Sequence, residues 1–154
     1  MEETKPGMDE TKANDSVRLL RECNAGIKMG IAAIDDVLPK VKDTRLKTLL
    51  TEMKTDHENL ETDTQRLLAT YHDPDKEPSP IAKGLSWLKT NVKMMTSPGD
   101  ETVADLMTDG CHMGIKSLSR YLNQYTAADG EVQHVTRRLI DLEENMAESL
   151  RRYL

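Results

Sequence analysis

Between residues 17 and 38 the apolar side chains Val17, Leu20, Ile27, Ile31, Ile34 and Leu38 recur at helical spacing. Gly26, Gly30 and Ala33 lie beside this stripe, where small residues let a neighbouring helix approach closely. That closeness accounts for glycines that each cost about 1 kcal/mol against alanine inside a helix. Pro39 ends the helix, because a proline further in loses a hydrogen bond and clashes with the preceding turn. After the short turn Lys40-Val41-Lys42, Asp43 is the N-cap candidate of a second helix that returns antiparallel. Its stripe runs through Leu46, Leu49/Leu50, Met53, His57, Leu60, Thr64, Leu67/Leu68 and Tyr71, with His57 on the apolar face.

The proline-rich stretch 73–80 reads as an extended linker. Residues 81–95 form a short amphipathic crossover helix with Ile81, Leu85, Leu88, Val92 and Met95 on one side and Trp87 near it. Ser97-Pro98-Gly99-Asp100 starts the next helix, with Pro98 suited to a first turn. That helix shows Val103, Leu106/Met107, Gly110/Cys111, Gly114, Leu118, Tyr121 and Tyr125. After the turn 127–130 the last helix carries Val132, Val135, Leu139, Leu142, Met146, Leu150 and Tyr153, and Arg151 and Arg152 suit the negative end of its dipole. No useful length alternates with a period of two. The pattern predicts an all-α chain: two helical hairpins joined by a crossover helix, closing into a four-helix bundle.

A short pattern repeats in each half. Cys23-Asn24-Ala25-Gly26-Ile27-Lys28 and Cys111-His112-Met113-Gly114-Ile115-Lys116 share C-x-x-G-I-K, and both cysteines of the chain lie in it. If the halves are related by a pseudo-two-fold axis, Cys23 and Cys111 occupy equivalent places.

Composition narrows the function. The 154-residue chain has the length of one domain. It has no Phe, one Trp, four Tyr and nine Met, so its core is aliphatic with flexible filler. A net charge of −6 argues against a nucleic-acid or anionic-membrane surface. Residues 1–14 are polar and are expected to be a disordered tail, with Asp15 or Ser16 capping the first helix and the domain occupying 15–154. That tail lacks the basic start and apolar stretch of a signal peptide, and no segment approaches a membrane span. The expectation is a cytoplasmic protein with both thiols reduced and buried. Trp87, Met94 and Met95 are candidates for a self-association patch, hence an expected homodimer with no nucleic-acid or membrane partner.

Two hairpins with a long crossover resemble the ferritin-like fold over residues 16–154. The chain looks most like small uncharacterised bacterial ferritin-like proteins with a Lys-Asp-x-x-Leu-Lys turn into the second helix, here Lys42-Asp43-Thr44-Arg45-Leu46-Lys47. Metal-binding members use one Glu from the first helix of each hairpin and a Glu-x-x-His from each second helix. The matching tetrads here are Lys54-Thr55-Asp56-His57, with Lys in place of Glu, and Glu143-Glu144-Asn145-Met146, with Met in place of His. Upstream only Glu22 and Asp109 are acidic, both off the apolar stripe. The resemblance therefore implies a bundle whose di-metal ligands are largely lost, with no catalytic, cofactor-binding or metal residues assigned. In this reading His57 is a core histidine bonded to a neighbouring helix, and Lys54 with Glu143 is a candidate ion pair. The function it implies is non-enzymatic: an interaction or stress-associated protein. Two alternatives stand beside it, an atypical metal site on His57, Glu143 and Glu144 serving an oxidoreductase or storage protein, and a redox module using Cys23 and Cys111. Cys111 and His112 are adjacent, so on a helix they point about 100° apart and cannot act together. His72 and His134 fall at helix-end or exposed positions, and Lys28 and Lys116 at the stripe's edge.

Overall fold

A computed structural model of the chain describes residues 8–72 and 99–154. Among these residues are four α-helices: α1 (Met8–Val37), α2 (Thr44–Thr70), α3 (Asp100–Gln124) and α4 (Gly130–Leu150). Among the described residues there is no strand. Short 3₁₀ turns, Leu38–Lys40 and Arg151–Tyr153, close α1 and α4. The predicted all-α class and the four long helices are observed. The crossover helix at 81–95, with Trp87, Met94 and Met95, lies outside the described residues.

Most boundaries follow the expected local chemistry. Pro39 sits in the turn after α1. The carboxylate of Asp43 accepts from the Leu46 backbone N–H at 3.0 Å and caps α2. The α2 helix closes at Tyr71, and His72 takes a left-handed φ of 56°. The N-terminus differs from expectation, because α1 begins at Met8, inside the stretch expected to lack order. Asp15 and Ser16 are therefore internal to α1 rather than its caps. Their side chains serve the other hairpin instead: Asp15 Oδ2 accepts from Ala127 N at 3.0 Å, and Ser16 Oγ from Asp129 N at 2.8 Å.

The mirror of this arrangement holds the opposite end. The Asp100 carboxylate, at the start of α3, accepts from Lys42 N at 2.8 Å and Asp43 N at 2.9 Å. Each interhelical turn is thus tied by a side chain from the other hairpin. These ties also fix direction. The start of α3 lies beside the start of α2, and the α3–α4 turn lies beside the early turns of α1. Every pair of helices adjacent around the bundle, α1 with α2, α2 with α4, α4 with α3 and α3 with α1, is antiparallel.

The interior divides into two apolar clusters. One holds Leu19, Leu20, Ile27, Leu67, Val132 and Leu139, near the α3–α4 turn. The other holds Ile34, Leu46, Leu50, Val103, Met146 and Leu150, near the α1–α2 turn. Between them, at mid-bundle, lies a polar layer.

Candidate functional site

The polar layer is built from the two second-of-hairpin helices. His57 stands fourteen residues after Asp43, the N-cap of α2, and Glu143 fourteen residues after Asp129, the N-cap of α4. The two are therefore equivalent positions, and on adjacent antiparallel helices they meet. His57 is 1% exposed and Glu143 9%. His57 Nε2 lies 2.7 Å from Glu143 Oε1, and Nδ1 lies 2.7 Å from the Met53 carbonyl oxygen one turn back on α2.

This geometry fixes where hydrogens sit. A backbone carbonyl only accepts, so Nδ1 carries a hydrogen. Across the Nε2–Oε1 separation a second hydrogen lies between ring and carboxyl, since two lone pairs at 2.7 Å would repel. The pair thus holds a proton inside the core. Burial alone pulls the imidazole pKa down. The hydrogen bond and charge of Glu143, helped by the Met53 carbonyl and the charge of Asp56, outweigh it, and His57 titrates above its ordinary range.

Glycine makes room for both partners. A Cβ on Gly30 would stand 2.8 Å from Cδ2 and Nε2 of the His57 ring. One on Gly114 would stand 3.7 Å from the Glu143 carboxyl. Gly30 on α1 and Gly114 on α3 are thus the positions that face the polar layer. The C-x-x-G-I-K repeat matches a different register. Cys23 Sγ lies 3.2 Å from Thr136 Oγ1 on α4, and Cys111 hydrogen-bonds Glu143, also on α4. A two-fold axis exchanging hairpins would send one of them to α2. The cysteines also belong to separate apolar clusters. Both are free and buried. Burial pushes the Cys23 thiol up to about 12 despite its bond to Thr136, and burial with the Glu143 charge pushes Cys111 well above the usual thiol range.

The remaining candidates disperse. Lys54 pairs with Asp35 of α1 at 2.7 Å, in a partly exposed bridge, and not with Glu143 as expected. Its position on α2 lies three residues before His57 and points it outward to α1's exposed edge. Glu144, Asp109, His112 and His134 are exposed, so the set His57, Glu143 and Glu144 is not brought together. Met146 is core. Among the described residues, no group of three His, Cys, Asp or Glu side chains is placed to hold a metal ion. The ligands that a ferritin-like di-metal centre requires do not fit here: His57 has both nitrogens engaged within the protein, and Lys54 and Met146 replace donors.

The sequence did not disclose the cleft above this layer. Between α1 and α3 a half-open cavity of about 300 Å³ reaches down to His57 and Glu143. Its α1 wall is Ala25, Gly26, Met29, Gly30 and Ala33, and its α3 wall includes Gly110, Cys111, Met113, Gly114 and Ser117. Leu139 and Met146 flank the polar pair on the floor. At the rim Tyr121 of α3 hydrogen-bonds Glu22 of α1, whose carboxyl is raised above its ordinary range by burial, against the lowering effect of that bond. Small residues on facing helices normally mean contact. Here Gly26, Gly30, Gly110 and Gly114 leave space between walls that also carry Met29 and Met113.

Neither a family model, nor a curated protein, nor a solved structure matches this chain.

Proposed function

We propose that the chain is a ferritin-like bundle of the small bacterial kind, its hairpins joined by a crossover helix over 81–95, that acts as a non-catalytic binding protein without a di-metal centre. In this reading it works in the cytoplasm as a homodimer, and the cleft between α1 and α3 is where it engages a small molecule. The observation that carries the reading is the His57–Glu143 layer, which closes on itself with a proton at the place where a metal-binding relative would need free donors. The raised thiol pKa values support a binding role over a redox one, because almost no thiolate forms at neutral pH.

Elemental analysis of protein purified without chelator tests the metal part. The expected result is well under one transition metal per chain. Two equivalents of iron or manganese, lost in His57→Ala, would overturn it. Light scattering giving twice the chain mass at tens of micromolar is expected for the dimer, and the monomer mass would remove it.

A further inference from the structure

We infer that the α1–α3 cleft is a site for a small organic ammonium ion, an aliphatic or aryl-alkyl amine whose apolar part lies along Met29 and Met113 and whose charged head reaches the Glu143 carboxylate. This inference rests on the reading of the cleft as a ligand site and names the ligand's chemistry.

Three observations carry it. The first is size. A cavity of about 300 Å³ is roughly twice the volume that accepts one benzene ring, so a ring with a short tail fits. The second is the wall. Ala, Gly, Leu and Met side chains surround the space, and methionine adapts to an apolar guest through its flexible, polarisable thioether. The third is charge. The ionisable groups lining the cleft are the carboxyls of Glu22 and Glu143, the His57 ring, the Cys111 thiol and the Tyr121 hydroxyl. Among the described residues, no Lys or Arg lines it. An anionic head would meet two acids and only a His57 proton already bound to Glu143, whereas an ammonium meets the remaining Glu143 oxygen on the floor and the Glu22 carboxyl at the rim. Glu143 gives Oε1 to His57 and also accepts from the Cys111 thiol, while its Oε2 lies 3.7 Å from where a Gly114 Cβ would stand, so that glycine puts no side chain over it.

The test compares three probes of nearly equal shape on the full chain: phenethylamine, 2-phenylethanol and 3-phenylpropanoate at neutral pH. Binding is followed by the ¹³C-methyl signals of the methionines, with Met29, Met107, Met113 and Met146 reporting the cleft. The expected order is amine well ahead of alcohol, with the carboxylate not binding. Glu143→Gln should weaken the amine about tenfold and the alcohol less than twofold, since a charge-assisted bond is replaced by a neutral one. Alcohol binding as tightly as amine, or carboxylate binding more tightly, overturns the amine assignment and leaves the cleft a ligand site. No saturable shift with any probe assigns the cleft to protein side chains, whether residues 81–95 or a second copy, and overturns the ligand site itself. The comparison of heads on the unaltered chain needs no variant. Should Glu143→Gln fail to fold, Gly114→Met keeps the His57–Glu143 pair and is expected to abolish amine binding by filling the cleft. Unchanged amine affinity in Gly114→Met would place the amine elsewhere and refute the proposal.

Discussion

Replacing Gly30 by Ala tests the polar layer most directly, because two effects of opposite sign meet at one atom. In an exposed helix interior the change stabilises by about 1 kcal/mol through helix propensity. Here the new Cβ would stand 2.8 Å from two atoms of the His57 ring, against an ordinary contact of 3.4 Å or more. The ring must retreat by about 0.6 Å or α1 must shift. It is pinned on both sides at 2.7 Å, by Met53 and by Glu143, so retreat stretches a charge-assisted bond to the edge of its range. Overpacking costs about 1–3 kcal/mol and weakening that bond about 1.5–3 kcal/mol. Less the propensity gain, Gly30→Ala should destabilise by about 1.5–5 kcal/mol in urea unfolding followed by circular dichroism. In a His57→Ala background the obstacle is gone, and the same substitution should stabilise by up to about 1 kcal/mol. Gly110→Ala, whose Cβ meets nothing within 4 Å, should stabilise in both backgrounds. If Gly30→Ala has the same effect with and without the imidazole, the close approach of α1 to His57 is refuted.

Three further outcomes follow from the same geometry. His57 titrates above its ordinary pKa near 6.5 in the folded chain, so its contribution to stability is full below that value and is lost as pH rises through the raised pKa. The urea midpoint should therefore fall on the alkaline side, and His57→Gln should remove that part of the slope. Ser16→Ala leaves the partly buried Asp129 N–H without its acceptor and should cost about 1–2 kcal/mol, read from thermal unfolding; no change would mean water replaces the hydroxyl without loss. A bulky maleimide should label Cys23 and Cys111 only as fast as the chain unfolds, and prompt labelling of either in native buffer would contradict their burial.

The four long helices and most of their ends were readable because period, proline and capping side chains act locally. Pro39 and Asp43 do in the structure what their chemistry demands anywhere. The start of α1 was not readable, because Met8–Asn14 offer little apolar surface and the ties of Asp15 and Ser16 to the other hairpin come from residues more than a hundred positions away. The partner of Glu143 was misread for a related reason. Matching Lys54–His57 to Glu143–Met146 by motif put His57 opposite Met146, whereas counting from Asp43 and Asp129 puts it opposite Glu143. The caps fix helix phase, and a degraded motif does not. The cleft left even less trace, since small residues on facing helices look the same whether the helices close on them or stand apart.

The crossed ties at the two turns bear on how the chain comes apart. A hairpin that closed its own turn would be a self-sufficient unit, free to form early and persist alone. Here Asp100 holds a turn nearly sixty residues upstream, and Asp15 and Ser16 hold one more than 110 residues downstream. Closing loops of that size is slow to be rewarded, so these bonds form only as the hairpins dock. Weakening one should leave the folding rate nearly unchanged and raise the unfolding rate. The lifetime of the native state, more than its speed of formation, is thus set at the two ends of the bundle.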